Sequence, residues 1–272
     1  MSCSFDPIGV VRCREMYPQE APRQGTLSGG TGRIVLKKNC NFETALADLE
    51  GVERIWIIFV FDRVKGWKPK VRPPLGGLSR RIGVFATRSP HRPNPIGITS
   101  ARLLSVQGLE LEVSEIDLLD NTPVLDIKPY IPMADAFPDA RTGWREEVDL
   151  PDMQLLPDSA ADEEIRFILQ NGGPDLANVC HVQLLTREYD PRRMRLSGPD
   201  ENGRQIFAFR TWRVVFEKDP ESKQIRVLEV FSGYDAEELA PGAEDPYKDK
   251  ELHRMFRAVF PAAGKIFVGK SV

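Results

Sequence analysis

The first half of the chain is a succession of short apolar, β-branched segments, and this pattern narrows the fold more than any other feature. Such segments fall at residues 8–11, 33–37, 54–61, 82–86, 96–106 and 109–116. Gly, Pro and Asn punctuate them, which is the spacing of short strands in a barrel or sandwich. Leu109, Leu111 and Val113 alternate with Glu110, Glu112 and Ser114. Joined to residues 96–106 through Gln107-Gly108, that alternation predicts a hairpin with one buried face. A single short helix is expected at residues 42–49, capped by Asn41. Strands do not alternate with long helices, and no GxGxxG motif follows a strand. A parallel nucleotide-binding sheet is therefore not expected.

Residues 137–159 are rich in Pro and Asp and mark a boundary, dividing the chain into residues 1–145 and 146–272. Beyond it, a helix is expected at 162–170, stopped by Asn171-Gly172-Gly173. A second is expected from Pro174 to about residue 189. Two strands, 205–217 and 224–230, would turn through Asp219-Pro220-Glu221-Ser222, and a helix at 249–259 would close the region. The expected architecture is a mainly β N-terminal barrel, of non-Rossmann type, with a smaller α+β C-terminal domain. The longest apolar run, residues 55–61, is far short of the roughly 18 residues that span a bilayer, and the N-terminus lacks the pattern of a secretory leader. Cys3, Cys13, Cys40 and Cys180 form no CxxC pair. Reduced thiols, a cytoplasmic location and no membrane contact are the expectation. Three histidines and no HExxH or Cys/His cluster argue against a metal site. P-loop and GxSxG patterns are absent as well, which sets aside common kinase and hydrolase chemistries.

The net charge is −3, so the chain as a whole is not basic, but its charges are unevenly placed. Between Arg63 and Arg92 lie nine Lys or Arg residues and no Asp or Glu: Arg63, Lys65, Lys68, Lys70, Arg72, Arg80, Arg81, Arg88 and Arg92. That asymmetry predicts either a local anionic partner or a solvated basic loop. Three segments combine backbone punctuation with charge: residues 21–25 (APRQG), 83–97 (GVFATRSPHRPNPIG) and 117–130 (DLLDNTPVLDIKPY). In the second, Pro90, Pro93 and Pro95 stiffen the backbone around Arg88, Arg92 and Asn94. A held arginine suits bidentate capture of carboxylate or phosphate, although proline-rich loops also simply end strands. In the third, Asp120-Asn121-Thr122-Pro123 has turn-forming chemistry, while Asp126 and Lys128 alternate so as to share a face and pair.

The strings PRQ (22–24), WIIFVF (56–61), GWKPKVRPP (66–74), GVFATRSPHRPNPIG (83–97) and DLLDNTPVLDIKPY (117–130) together resemble the TrmO/TsaA-like family, in its order and spacing, over roughly residues 5–140. The resemblance implies a compact β-barrel that binds S-adenosyl-L-methionine, working as a homodimer with the cofactor near the interface. It also implies methylation at N6 of the threonylcarbamoyl-adenosine next to the anticodon of tRNA. Position by position, Pro22, Arg23 and Gln24 match the family's cofactor-contacting PRQ. Arg88 matches the arginine of its ATRS segment, Ile98 an apolar residue lining the site, and Asp120, Asn121, Thr122 and Pro123 its D-x-T-P turn. Asp62 and Arg63 stand where relatives carry His-Gln, and are kept as pocket candidates. Asp190-Pro191-Arg192 matches a DPR motif but continues as Arg193-Met194 rather than Pro-Ala-Tyr.

The acceptor nitrogen is urea-like and poorly nucleophilic, so it has to be positioned in line and relieved of its proton. Asp120 is the expected general base. Lys65, Lys68, Lys70, Arg72, Arg92, Arg192 and Arg193 are the expected tRNA contacts, and Trp67 a stacking candidate against a base. The altered second domain leaves two alternatives: the same fold methylating another RNA or a small molecule, or a non-enzymatic S-adenosylmethionine-binding regulator.

Overall fold

The computed structural model describes residues 3–18, 21, 25, 30–73, 80–147, 153–185 and 196–264. The chain divides into two compact units, Met1–Asp149 and Leu150–Val272.

In the first unit, six strands close an antiparallel barrel: β1 (Gly9–Cys13), β2 (Thr31–Leu36), β3 (Arg54–Val60), β6 (Ile96–Gln107), β7 (Glu110–Ser114) and β8 (Pro123–Pro129). Around the barrel the order is β1-β2-β7-β6-β3-β8, with β8 closing back on β1. The residues of β3 alternate between buried and half-buried, and the buried set Ile55, Ile57 and Phe59 points into the barrel. Val11, Ile34, Ala101, Leu111, Val113 and Val124 join it there. Each fully buried residue of this size contributes about 1.5–3 kcal/mol, so a one-residue register slip that turned them outward would undo the unit. A small two-stranded ribbon, β4 (Lys70–Val71) and β5 (Ile82–Gly83), stands beside the barrel.

Some expectations needed correcting. The helix expected at 42–49 is a single turn, α1 (Phe42–Ala45), because Asn41 adopts a left-handed conformation and its side chain makes no cap bond to backbone N–H. Asn41 instead accepts from the Thr44 hydroxyl at 2.7 Å. The strand expected at 82–86 ends at Gly83 and gives way to a 3₁₀ turn, Val84–Ala86. Strand β8 starts and ends in proline, which disguised it, yet Ile55 to Ile58 pair with Pro129 to Asp126 along it. Asp126 and Lys128 form the expected ion pair, at 2.8 Å. A second single turn, α2 (Pro132–Asp135), follows β8.

The second unit is a four-stranded sheet of order β10-β11-β12-β9: β9 (Gln154–Pro157), β10 (Arg204–Phe209), β11 (Trp212–Asp219) and β12 (Gln224–Ser232). Helix α3 (Ser159–Gln170) stops before Asn171-Gly172, as expected. Helix α4 (Leu176–Cys180) runs into a wider turn at His181–Leu185, and the remainder of the helix expected to residue 189 lies outside the described residues. The strand expected at 205–217 is in fact a hairpin, broken at Arg210-Thr211, with Arg210 left-handed (φ 49°). Nothing in the sequence FAFRTWRVV advertises such a turn, since Arg is a poor left-handed residue. Helix α5 (Lys250–Val259) buries Leu252, His253 and Phe256. The His253 ring stacks on Trp212 (3.8 Å between centroids) and bonds to Ser232 through Nδ1 at 2.8 Å and Thr211 through Nε2 at 2.9 Å. Among the described residues, no helix is long and apolar enough to cross a membrane.

Candidate functional site

Topology gathers the candidate residues at one end of the barrel. Gly32 pairs with Cys13 and Thr31 with Ser114, so β1 ends, β2 starts and β7 ends on the same rim. Val60 pairs with Ile96, and Val10 with Pro123, which brings the end of β3 and the starts of β6 and β8 to that rim too. Residues 62–63, 88–98 and 117–123 therefore converge, although up to 61 positions separate them in sequence.

The turn 120–123 is held on every side. Asp120 N–H donates to the Glu15 carbonyl at 2.7 Å, Asn121 N–H to that of Val11 at 2.8 Å, and Val11 N–H returns to Thr122 at 3.0 Å. Asn121 is left-handed (φ 66°), a conformation Asn tolerates better than most residues. The Asp120 carboxylate accepts from Cys13 N–H at 3.2 Å and lies 3.5 Å from Arg12, whose guanidinium also donates to Asn121 Oδ1 at 2.5 Å. Arg63 donates to the carbonyls of Met16 and Asp120, tying the 14–17 segment to the turn. Cys13 lies inside this knot; burial, followed by the charge of Glu15, pushes its thiol up to about 12, so it is no nucleophile.

Just before the turn stands Asp117, which the sequence reading left off the site. Its Oδ1 is buried and has no hydrogen-bond partner. Burial pushes its carboxyl up to about 6, against the opposing effects of hydrogen bonding from Thr99 and its own backbone and of the Arg88 charge. The signal was present in the string Ile116-Asp117-Leu118-Leu119, where a lone carboxylate interrupts an apolar run.

The other candidates are placed as follows. Arg88 is exposed and acts electrostatically on Asp117. Ile98 is half exposed on the outer face of β6, opposite Ile58. Asp62, Lys65, Lys68, Lys70 and Arg72 are exposed. Arg92, expected to meet tRNA, instead turns inward: its Nη1 donates to the carbonyls of Val84 at 3.1 Å and Thr87 at 2.7 Å. Pro22, Arg23, Gln24, Arg192 and Arg193 lie outside the described residues. Next to that PRQ segment, however, Gly25 is packed so tightly that an added Cβ would come 1.7 Å from the Glu115 carbonyl oxygen.

The donor set at the rim suits S-adenosyl-L-methionine. The rim's described residues include an exposed cation in Arg88, a buried oxygen without a hydrogen-bond partner in Asp117 and apolar surface in Pro123, the kinds of group that a ligand with carboxylate, ammonium and adenine needs. Among the described residues, no group of three or more His, Cys, Asp or Glu is arranged to hold a metal ion.

Residues 10–136 match the model of the tRNA-methyltransferase O N-terminal domain. The tRNA (adenine(37)-N6)-methyltransferase of Escherichia coli K12 is 40% identical over 161 residues, covering 57% of this chain and 68% of that protein. The chain belongs to the tRNA-methyltransferase O family. A putative S-adenosylmethionine-dependent methyltransferase of Pseudomonas aeruginosa is 47% identical over 146 residues, covering 53% of this chain and 63% of that one. Resemblance to the TrmO fold extends further than these sequence matches. The crystal structure of TrmO from Pseudomonas aeruginosa superposes with a TM-score of 0.62 at 32% identity, covering 85% of this chain and 98% of that one. The barrel and the α+β unit are those of a TrmO protein.

Proposed function

We propose that this chain binds S-adenosyl-L-methionine at the barrel rim and methylates N6 of the threonylcarbamoyl-adenosine next to the anticodon of tRNA, in the cytoplasm and as a homodimer. The observation that carries the reading is the convergence on one rim of residues 62–63, 88–98 and 117–123, which carry Arg63, Arg88 and Arg92 and the carboxyls of Asp62, Asp117 and Asp120. S-adenosyl-L-methionine supplies an electrophilic methyl group when bound.

The chain's own residues bind, orient and exchange charge. Arg63 braces the 120–123 turn from outside through two carbonyls, so the turn meets a ligand already in place and little ordering entropy remains to be lost on binding. Arg88 acts electrostatically on Asp117. The acceptor nitrogen requires a proton acceptor, and the rim segments carry the carboxyls of Asp62, Asp117 and Asp120. Asp120 is engaged by Cys13 N–H and Arg12, contacts that support a role in holding the turn. Exposed Lys65, Lys68, Lys70 and Arg72 would meet tRNA phosphates.

Homodimer formation is supported by apolar side chains left open on the barrel unit. Ile96 and Ile98 on the outer face of β6, and Ile131, Met133 and Phe137 after β8, are all exposed. A second copy covering Ile96 and Ile98 would lie beside the rim, where β6 starts.

The reading is tested by transfer of label from methyl-labelled S-adenosyl-L-methionine to tRNA, comparing tRNA that carries threonylcarbamoyl-adenosine with tRNA that lacks it. Label in the modified tRNA alone is expected. Label in neither, with the cofactor still bound, would overturn the choice of acceptor.

A further inference from the structure

Phe85 is 76% exposed, an unusual position for a large apolar ring. Its backbone is not loose. Val84, beside it, is buried, and Val84 N–H donates to the Pro69 carbonyl at 3.0 Å. Thr87 closes the turn onto the Val84 carbonyl through both its N–H (3.1 Å) and its hydroxyl (2.9 Å). The Trp144 indole N–H donates to the Ala86 carbonyl at 2.8 Å. The ring is thus presented to solvent from a pinned 3₁₀ turn.

One neighbour explains how the ring is held. The Arg92 guanidinium lies 5.8 Å from its centroid, within cation–π range. Arg92 is itself fixed by the two carbonyls of the same turn. Lys68, Lys70, Arg72, Arg81 and Arg88 are exposed on the same two segments, no acidic residue occurs from 63 to 92, and Glu147 pairs with Arg80 at 2.7 Å. Backbone bonds Lys68 N–H to His91 O and Val84 N–H to Pro69 O tie those segments together. The Arg92 guanidinium over this ring is a cationic neighbour, not the apolar one that an apolar protein partner would match. A nucleotide satisfies both features, its base giving a π-face and its phosphate a negative charge.

Taking RNA as the substrate, as read above, we propose that Phe85, backed by Arg92, is a stacking platform for one base of the tRNA anticodon loop. Phe85 is a positioning residue: it fixes the register of the loop so that the target adenosine reaches the rim.

The test uses the full chain and Phe85→Ala, Phe85→Leu and Phe85→Tyr. The probe is an anticodon stem-loop RNA carrying 2-aminopurine next to the target adenosine, alongside whole tRNA. Phe85→Ala is expected to raise the tRNA Kd and KM about fivefold to a hundredfold, the range that follows loss of one base–aromatic stack. Affinity for S-adenosyl-L-methionine and the melting temperature should stay at wild-type values. The salt slope of tRNA binding should also hold, because no phosphate contact is lost. Phe85→Tyr should restore binding and 2-aminopurine quenching, and Phe85→Leu should not, having no π-face. Rescue by Leu equal to that by Tyr, or an unchanged KM in Phe85→Ala, would overturn the platform. A change of sedimentation coefficient in Phe85→Ala would overturn it too, placing the ring between copies of the chain. Failure of the wild-type chain itself to bind any tRNA would remove the substrate reading, and the platform with it.

Discussion

Gly97→Ala tests how tightly the rim is built into the barrel core. Gly97 on β6 faces Phe59 on β3. An alanine Cβ would lie 2.2, 2.5 and 2.7 Å from Cζ, Cε2 and Cε1 of that ring. Ordinary carbon contacts are about 3.5–4.0 Å, so the ring or the strand has to move by more than about 1 Å. Room for that movement is missing: Phe59 is buried and stands edge-on to Phe61, with centroids 4.9 Å apart. Overpacking of this kind costs about 1–3 kcal/mol. At about 2–4 °C per kcal/mol for a unit of this size, melting should fall by about 2–12 °C. Phe59→Leu shortens the obstructing ring, so the double variant should be less destabilised than the sum of the singles by about 1 kcal/mol or more. Thermal unfolding of wild type, both single variants and the double completes the cycle. If Gly97→Ala melts within a degree of wild type, or the two costs simply add, the close approach of strand to ring is not what requires glycine there.

Other outcomes follow from the same geometry. Gly25→Ala drives a methyl group against the Glu115 carbonyl; displacement of the adjoining segment by about 1 Å should weaken S-adenosyl-L-methionine binding by up to about a hundredfold in calorimetry. Asp120→Asn retains an oxygen for Cys13 N–H, so a turn-holding role predicts turnover close to wild type in Asn and a loss in Ala; a base role predicts about 10²-fold loss or more in both. Asp117, raised from 3.8 to about 6, binds its proton more tightly when folded. Wild-type stability should therefore be highest below about pH 4 with respect to this group and fall as pH rises to about 6, by at most about 3 kcal/mol. Asp117→Asn should flatten that decline in urea titrations across the window. His253→Ala removes the two hydroxyl bonds and the stack on Trp212, and should destabilise the second unit by about 2–4 kcal/mol in guanidinium unfolding.

Much of the barrel was legible in the order of residues. Strands β3, β6 and β7 are β-branched or alternating over five residues or more, and period-2 burial writes itself into such segments. Strand β8 was hidden because its prolines and Asp126 lower its strand propensity; pairing on both sides, with β1 and β3, overrides that preference. The hairpin at Arg210-Thr211 was equally opaque, since pairing of Phe209 with Trp212 imposes a left-handed arginine that local chemistry disfavours.

For the site, the chain announced its segments by composition: a proline-stiffened loop with arginines, a D-N-T-P turn and a basic stretch free of acids. Those are local properties, and local properties survive in a string of letters. What each side chain does was decided only by closure of the barrel. Closure enlisted Arg12 and Arg63 to brace the Asp120 turn and buried the Asp117 oxygen beside Thr99, whereas Arg92 was committed within its own loop. The physical reason is that hydrogen-bond commitment and desolvation depend on neighbours tens of residues away, which only the fold brings within reach.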